Sequence, residues 1–220
     1  MSLWNGIGNQ LQHPSGLVGR LVGHTMGIVG EKANRLAVDA LHIGVRDTIL
    51  ELGFGSGRAI ELMASRATEG LVYGVDQSEI MFEQAKRRNR LASQAGRVLL
   101  YQAPFEPLPF PDQSIDKVLA VNVVYFWADP VAVISEIRRV LRPHGCVSIY
   151  AIDAATMVNW RFAGRETHRL FRAAELTDLL LQGGFDRHRI SVRSIQMSGW
   201  TNGLLATVSA PRKSIGPVHR

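Results

Sequence analysis

Seven short apolar runs alternate with helix-like stretches along this chain, and that alternation narrows the fold more than any other feature. The runs are TILELG (48–53), LVYGV (71–75), RVLLY (97–101), IDKVLAV (115–121), CVSIYAI (146–152), RISVRSIQM (189–197) and GLLATVSA (203–210). Helical periodicity covers 58–67, 79–94, 130–142 and 173–183 between them. In PVAVISEIRRVL, Val131, Ile134, Ile137 and Leu141 recur on one face, with Glu136, Arg138 and Arg139 off it. Strands alternating with helices build a parallel sheet covered on both faces. The last two runs are joined only by SGWTN, too short for a crossover, so they form an antiparallel pair. The expected fold class is therefore α/β, a Rossmann-like and mostly parallel sheet with helices on both faces. At 220 residues the chain suits one core and is short for two. The expected organisation is a single domain. It comprises an N-terminal helical cap or lid over 1–46, a core over 47–210 and a basic tail over 211–220.

Composition removes several alternatives. A lone Cys146 excludes a disulfide framework within the chain and a cysteine zinc site, and no metal centre is expected. No apolar run approaches the ~20 residues of a membrane helix. The start, MSLWNGIGNQLQ, lacks a basic n-region, so a cytoplasmic location is expected. Charge is uneven: residues 1–159 hold 15 Lys/Arg and 15 Asp/Glu, whereas 160–220 hold 10 against 4. A basic end suits an anionic partner, but these arginines are scattered among apolar residues, as on a solvated face.

The stretch ELGFGSG (51–57) ends one strand and opens a helix. In a parallel sheet, ligands bind beyond the carboxyl ends of the strands, near the switch point. Gly53, Gly55 and Gly57 allow a sharp turn and close backbone approach to a ligand. The next strand ends in GVDQS, with Asp76 at its tip, 19 residues after Gly57. A carboxylate there can accept both hydroxyls of a ribose. Asp76 can equally cap the following helix, although Ser78 fits that cap better. A dinucleotide fingerprint reads G-x-G-x-x-G. Here the third glycine comes one position early, and Arg58 stands where the small residue belongs. A cofactor without pyrophosphate, S-adenosylmethionine, fits better. Glu51 can bias the local field toward its sulfonium and ammonium.

At these residues the chain resembles the class I S-adenosylmethionine-dependent methyltransferases, in the branch that includes the ubiquinone/menaquinone-biosynthesis type. ELGFGSG, GVDQSEIMFEQA, PLPFPDQSIDKVLAVNVVYFW and EIRRVLRPHGCVSIY carry the resemblance across 48–152, with a fainter match in ELTDLLLQGGF (175–185). It implies a seven-stranded sheet whose last strand is antiparallel. It also implies S-adenosylmethionine as cofactor and S-adenosylhomocysteine as product. Gly53, Gly55 and Gly57 would meet the methionine part and Asp76 the ribose, with Glu51 and Phe54 also expected among the cofactor-binding residues. Gln77 and Met81 would flank the adenine, Pro104 and Phe105 would cover its edge, and Asn122 would sit beside the methionine end. Three positions depart from the pattern. Pro104 replaces an acidic residue that meets the adenine, with Glu106 the nearest acid. His144 stands where glycine is preferred, in a turn expected to need positive φ and so to strain a histidine. Finally, the Gly-rich segment before residue 36 lacks the branch's usual start and suits a flexible lid.

The chemistry required is small: hold an acceptor in line with the methyl group and exclude water. Tyr125, His168 and His24 are the candidate catalytic residues, with His13 and Asp129 behind them. Each also has an ordinary structural reading, as packing, surface or cap. The expected partner is a small-molecule methyl acceptor. A nucleic-acid methyltransferase has only the basic C-terminal region in its favour, since VNVVYFW is not the Asn/Asp-Pro-Pro-aromatic pattern used on base amines. A non-catalytic nucleoside-binding subunit and a dinucleotide oxidoreductase are the remaining readings. The acceptor, its reacting atom and the oligomeric state are open.

Overall fold

A computed structural model describes residues 30–158, 169–198 and 201–209. Strands β1 (Thr48–Leu52), β2 (Leu71–Asp76), β3 (Val98–Gln102), β4 (Ile115–Val121), β5 (Leu141–Ile152), β6 (Ile190–Ser198) and β7 (Thr201–Val208) form one sheet in the order β3-β2-β1-β4-β5-β7-β6. The pairs among β1 to β5 are parallel, and β7 runs antiparallel to both β5 and β6. The expected seven-stranded α/β sheet with its antiparallel last strand is thus the observed one. Strand order reverses at β1, which lies between β2 and β4. The crevice beyond its carboxyl end is where such sheets bind ligands.

Alternation along the strands sends neighbouring residues to opposite cores. Ile49, Val72 and Leu119 pack under α1 (Glu31–Asp39) and α2 (Arg58–Arg66), through Ala37, Val38, Ile60 and Met63. Leu50, Val75 and Val118 belong to the other cluster, with Ile134 and Ile137 of α5 (Pro130–Val140) and Leu176 and Leu180 of α7 (Ala173–Gln182). The remaining helices are α3 (Glu79–Arg88), α4 (Arg90–Gln94) and α6 (Ala154–Met157), with short 3-10 turns at Val124–Phe126 and Arg187–Arg189.

Local chemistry sets the helix starts. Ser78 Oγ accepts from Met81 N at 3.3 Å and caps α3. Asp129 Oδ1 accepts from Val131 N and Ala132 N, ahead of Pro130 in the first turn of α5, and so caps that helix.

Four details differ from the sequence reading. The single helix expected over 79–94 divides at Asn89, whose amide donates to Ala85 O and Gly57 O, both at 3.0 Å. The helix expected to reach 142 stops at Val140, and Leu141 enters β5 directly. His144 is not strained: it lies in β5, and among the described residues the non-glycine positions with positive φ are His42, Gln113 and Asn122. The glycine after it answers to space, since a Cβ on Gly145 would meet Leu141 Cδ1 at 2.6 Å and Asp116 O at 2.9 Å. The segment expected to be a cap over 1–46 is described from residue 30, and that part is built into the core. Ala33, Ala37, Val38 and Leu41 are buried, and Lys32 Nζ donates to Met197 O at 3.0 Å. Residues 1–29 and the tail from 210 lie outside the described residues.

Candidate cofactor and methyl-transfer site

The turn after β1 uses its three glycines in three ways. Gly53 has φ +72°, and a Cβ there would lie 2.4 Å from Val123 Cγ2. Gly57 has φ +77°, and a Cβ would lie 2.6 Å from Asn89 Nδ2 and 2.7 Å from Ala85 Cβ. Both glycines satisfy a left-handed backbone and a close neighbour at once. Gly55 has φ +50° with nothing within 4 Å of a would-be Cβ, so the turn presents bare backbone to open space there. Gly53 N donates to Val75 O at 2.8 Å, which ties the turn to the end of β2. Phe54 is buried beneath, against Gly74, and supports the turn from the core side.

Asp76 stands beside this opening at the tip of β2. Its Oδ2 accepts from Gly55 N and its Oδ1 from Ser78 N, each at 2.9 Å. It is only 9% exposed. Its own carbonyl accepts from Ala103 N at 3.1 Å, which brings the segment after β3 alongside. In that segment Pro104 is exposed, and Phe105 is buried edge-on to Trp127, with ring centroids 6.5 Å apart. Gln77 is exposed and Met81 buried at the start of α3.

Glu51 lies one residue before the end of β1 and is 2% exposed. Burial, then the nearby charge of Asp76, push its carboxyl well above the usual glutamate value of 4.5, and a backbone hydrogen bond from Ile60 opposes them. Its Oε2 has no hydrogen-bond partner among the described residues. The chain thus holds an acidic group in a buried site where a cation would be favoured.

Asn122 follows β4 with φ +54°, unusual for a residue with a side chain. Its N–H donates to Tyr150 O at 2.8 Å, and its Oδ1 accepts from the Tyr125 hydroxyl at 3.0 Å. That hydroxyl also accepts from Ile152 N. Burial pushes the Tyr125 phenol above the usual tyrosine range, which disfavours the phenolate a base would need. Tyr125 therefore fastens Asn122, just after β4, to the end of β5. His24 and His168, the other catalytic candidates, lie outside the described residues, as does His13. No group of three metal-ligating side chains occurs among the described residues, and no described helix is long and apolar enough to cross a membrane.

The sequence reading missed Asn89, which is 3% exposed and holds the carbonyl of Gly57. A readable signal existed, a helix-weakening asparagine inside the run KRRNRL.

Residues 50–149 match the family described as a methyltransferase domain. The chain is 32% identical over 166 residues to "Uncharacterized methyltransferase YdaC" of Bacillus subtilis, covering 74% of this chain and 89% of that protein. It is 32% identical over 125 residues to the ubiquinone/menaquinone biosynthesis C-methyltransferase UbiE of Geotalea daltonii, covering 56% of this chain and 53% of that one. A solved geranyl diphosphate methyltransferase in complex with S-adenosylmethionine shares the fold at TM-score 0.65 and 16% identity, covering 92% of this chain and 94% of that chain. The bare backbone at Gly55, the adjoining Asp76 carboxylate and the unpartnered Glu51 oxygen suit a cofactor with ribose hydroxyls and a cationic end. Site, fold and relatives agree: the chain belongs to the class I S-adenosylmethionine-dependent methyltransferases, and S-adenosylmethionine is its cofactor.

Proposed function

We propose that the chain methylates an apolar small molecule, with the cofactor held by the glycine turn, Asp76 and Glu51. The observation that carries this reading is where buried polar atoms lack partners. Among the described residues these atoms are Glu51 Oε2, Glu106 Oε2, Trp127 Nε1 and Ser148 Oγ. The first three sit near the carboxyl end of β1 and in the segments following β3 and β4. An unsatisfied buried polar group costs about 1–3 kcal/mol. Three of them along the carboxyl ends of the strands argue for ligand atoms there. The side chains around them are aromatic: Phe105 against Trp127, and Tyr125 edge-on to Phe126 at 5.7 Å. Such a wall suits a flat or apolar acceptor.

The cofactor supplies an activated methyl group when bound. The chain's task is then to hold and orient. The Glu51 carboxyl stabilises the cationic end, and Asp76 accepts from the ribose hydroxyls. Gln77, Met81, Pro104 and Phe105 border the base. Tyr125 fixes Asn122 beside the methionine end, and the aromatic wall excludes water from the acceptor. A proton acceptor, where the substrate requires one, falls to His24 or His168. The named relatives lend support, since UbiE carries ubiquinone/menaquinone biosynthesis in its name and the solved structure is a geranyl diphosphate methyltransferase. The test is to incubate the protein with methyl-labelled S-adenosylmethionine and a panel of quinols, prenyl diphosphates, phenols, transfer RNA and duplex DNA. Label is expected in an extractable small molecule. Label confined to nucleic acid would overturn the reading.

A further inference from the structure

A cleft of about 390 Å³ lies between α2 and the α3–α4 corner. Its lining includes Arg87, Arg88, Arg90 and Arg97, with Glu61 as its one carboxylate. The sequence concentrates charge here: residues 84–105 contain five Lys/Arg and no Asp or Glu, although residues 1–159 as a whole carry equal numbers of Lys/Arg and Asp/Glu. Glu61 is already engaged, with Arg58 Nη1 at 2.7 Å and Arg88 Nη1 at 3.5 Å. Arg97 donates to Ala64 O and Arg88 Nε to Ser56 O, so backbone carbonyls occupy part of two guanidinium groups. Arg87 and Arg90 make no hydrogen bond or ion pair among the described residues.

A second arginine-lined cleft shows why this one stands apart. Between α5, β5 and the turn before β6, Arg138, Arg139, Arg142 and Arg189 share a cleft with Asp112 and Asp186. There Arg139 is paired with Glu136 and Asp112, and Arg142 with Asp116. Asp112 and Asp186 both line that cleft, and two of its four arginines are held in ion pairs. In the α2–α3 cleft, four guanidinium groups face one shared carboxylate. Like charges gathered around a concavity raise the local potential and favour an anion with several charges. Guanidinium forks match phosphate oxygens in pairs.

We propose that the α2–α3 cleft binds a small, multiply charged phosphate anion of the diphosphate class, separate from the methyl-transfer site. Arg87 and Arg90 supply the forks not engaged elsewhere, and Arg88 and Arg97 complete the positive wall. Arg88 and Asn89 also hold Ser56 O and Gly57 O, so the cleft backs directly onto the glycine turn.

Calorimetric titration with pyrophosphate at fixed ionic strength tests this on the full chain. Saturable binding below millimolar is expected. Arg87→Ala combined with Arg90→Ala should weaken it by about tenfold or more, because both residues are exposed and neither side chain makes a hydrogen bond or ion pair among the described residues. Arg138→Ala combined with Arg189→Ala should leave it within about threefold. Saturating S-adenosylhomocysteine should leave it in place. No saturable binding, equal binding in the Arg87/Arg90 variant, or loss of binding with S-adenosylhomocysteine would each overturn the proposal. An RNA oligonucleotide that outbinds pyrophosphate more than about a hundredfold at physiological salt would assign the cleft to nucleic acid instead.

Discussion

The Gly55 amide donates to Asp76 Oδ2 across 2.9 Å, so the glycine turn and the carboxylate beside it are one hydrogen-bonded unit. The other oxygen of Asp76 accepts from Ser78 N and sets the entry into α3. One side chain thus connects the loop after β1, the tip of β2 and the following helix. Removing it disturbs both the turn's shape and its charge. Asp76→Ala should weaken S-adenosylhomocysteine binding by about 2–4 kcal/mol, as expected for losing a charged acceptor of two hydroxyls. Titration calorimetry decides it, and affinity within about threefold of wild type would reduce Asp76 to a structural brace.

Glu51 gives a pH signature with a definite sign. Its folded-state pKa lies well above the ordinary 4.5, so between those values the folded chain keeps a proton that the unfolded chain has lost. The stability it contributes is full below that ordinary value and declines as pH rises toward the folded pKa. Glu51→Gln removes this decline. The variant should gain stability relative to wild type as pH is raised from about 4.5 to neutrality, followed by denaturant melts at each pH. A constant difference across the range would contradict the buried-acid reading.

The same residue should release its proton when the cationic cofactor binds. Calorimetry of S-adenosylmethionine in two buffers of different ionisation enthalpy should report release of up to about one proton for wild type and none for Glu51→Gln. Equal values for both proteins would move the proton to another group.

Tyr125→Phe separates positioning from acid–base chemistry. The lost hydroxyl bonds Asn122 and Ile152 N, so a stability loss of about 1–2 kcal/mol is expected. Turnover should fall with the shape of its pH profile unchanged, because the phenol is held protonated by burial. Loss of an alkaline limb in the variant would restore Tyr125 as a proton acceptor.

The boundary of the amino-terminal segment can be tested with two truncations. Deleting 1–29 should leave a folded protein that binds cofactor within about tenfold of wild type, or roughly 1.4 kcal/mol, while turnover falls much further. Deleting 1–35 should also destabilise the fold, since it removes the buried Ala33 and the Lys32 bond to Met197 O. Full turnover by the shorter truncation would remove the lid hypothesis.

Much of this protein is written locally. The alternation of apolar runs and helical periods specifies the sheet, because burial on both faces demands it over short windows. ELGFGSG and the aspartate at the tip of β2 are legible because a left-handed turn and a strand-end carboxylate are properties of a few adjacent residues. Tertiary structure decided what depends on distant neighbours. Asn89 divides a helix because Gly57 O, 32 residues earlier, is within reach of its amide. His144 escapes strain because it lies in β5 and not in a turn, and the next glycine is needed for the approach of Leu141 and Asp116. Tyr125 acts as a strut because Ile152, 27 residues onward, lies beside its hydroxyl. The glycine spacing follows from the chain's own geometry, whereas these partnerships exist only after the sheet has brought the carboxyl ends of β1, β2, β4 and β5 together.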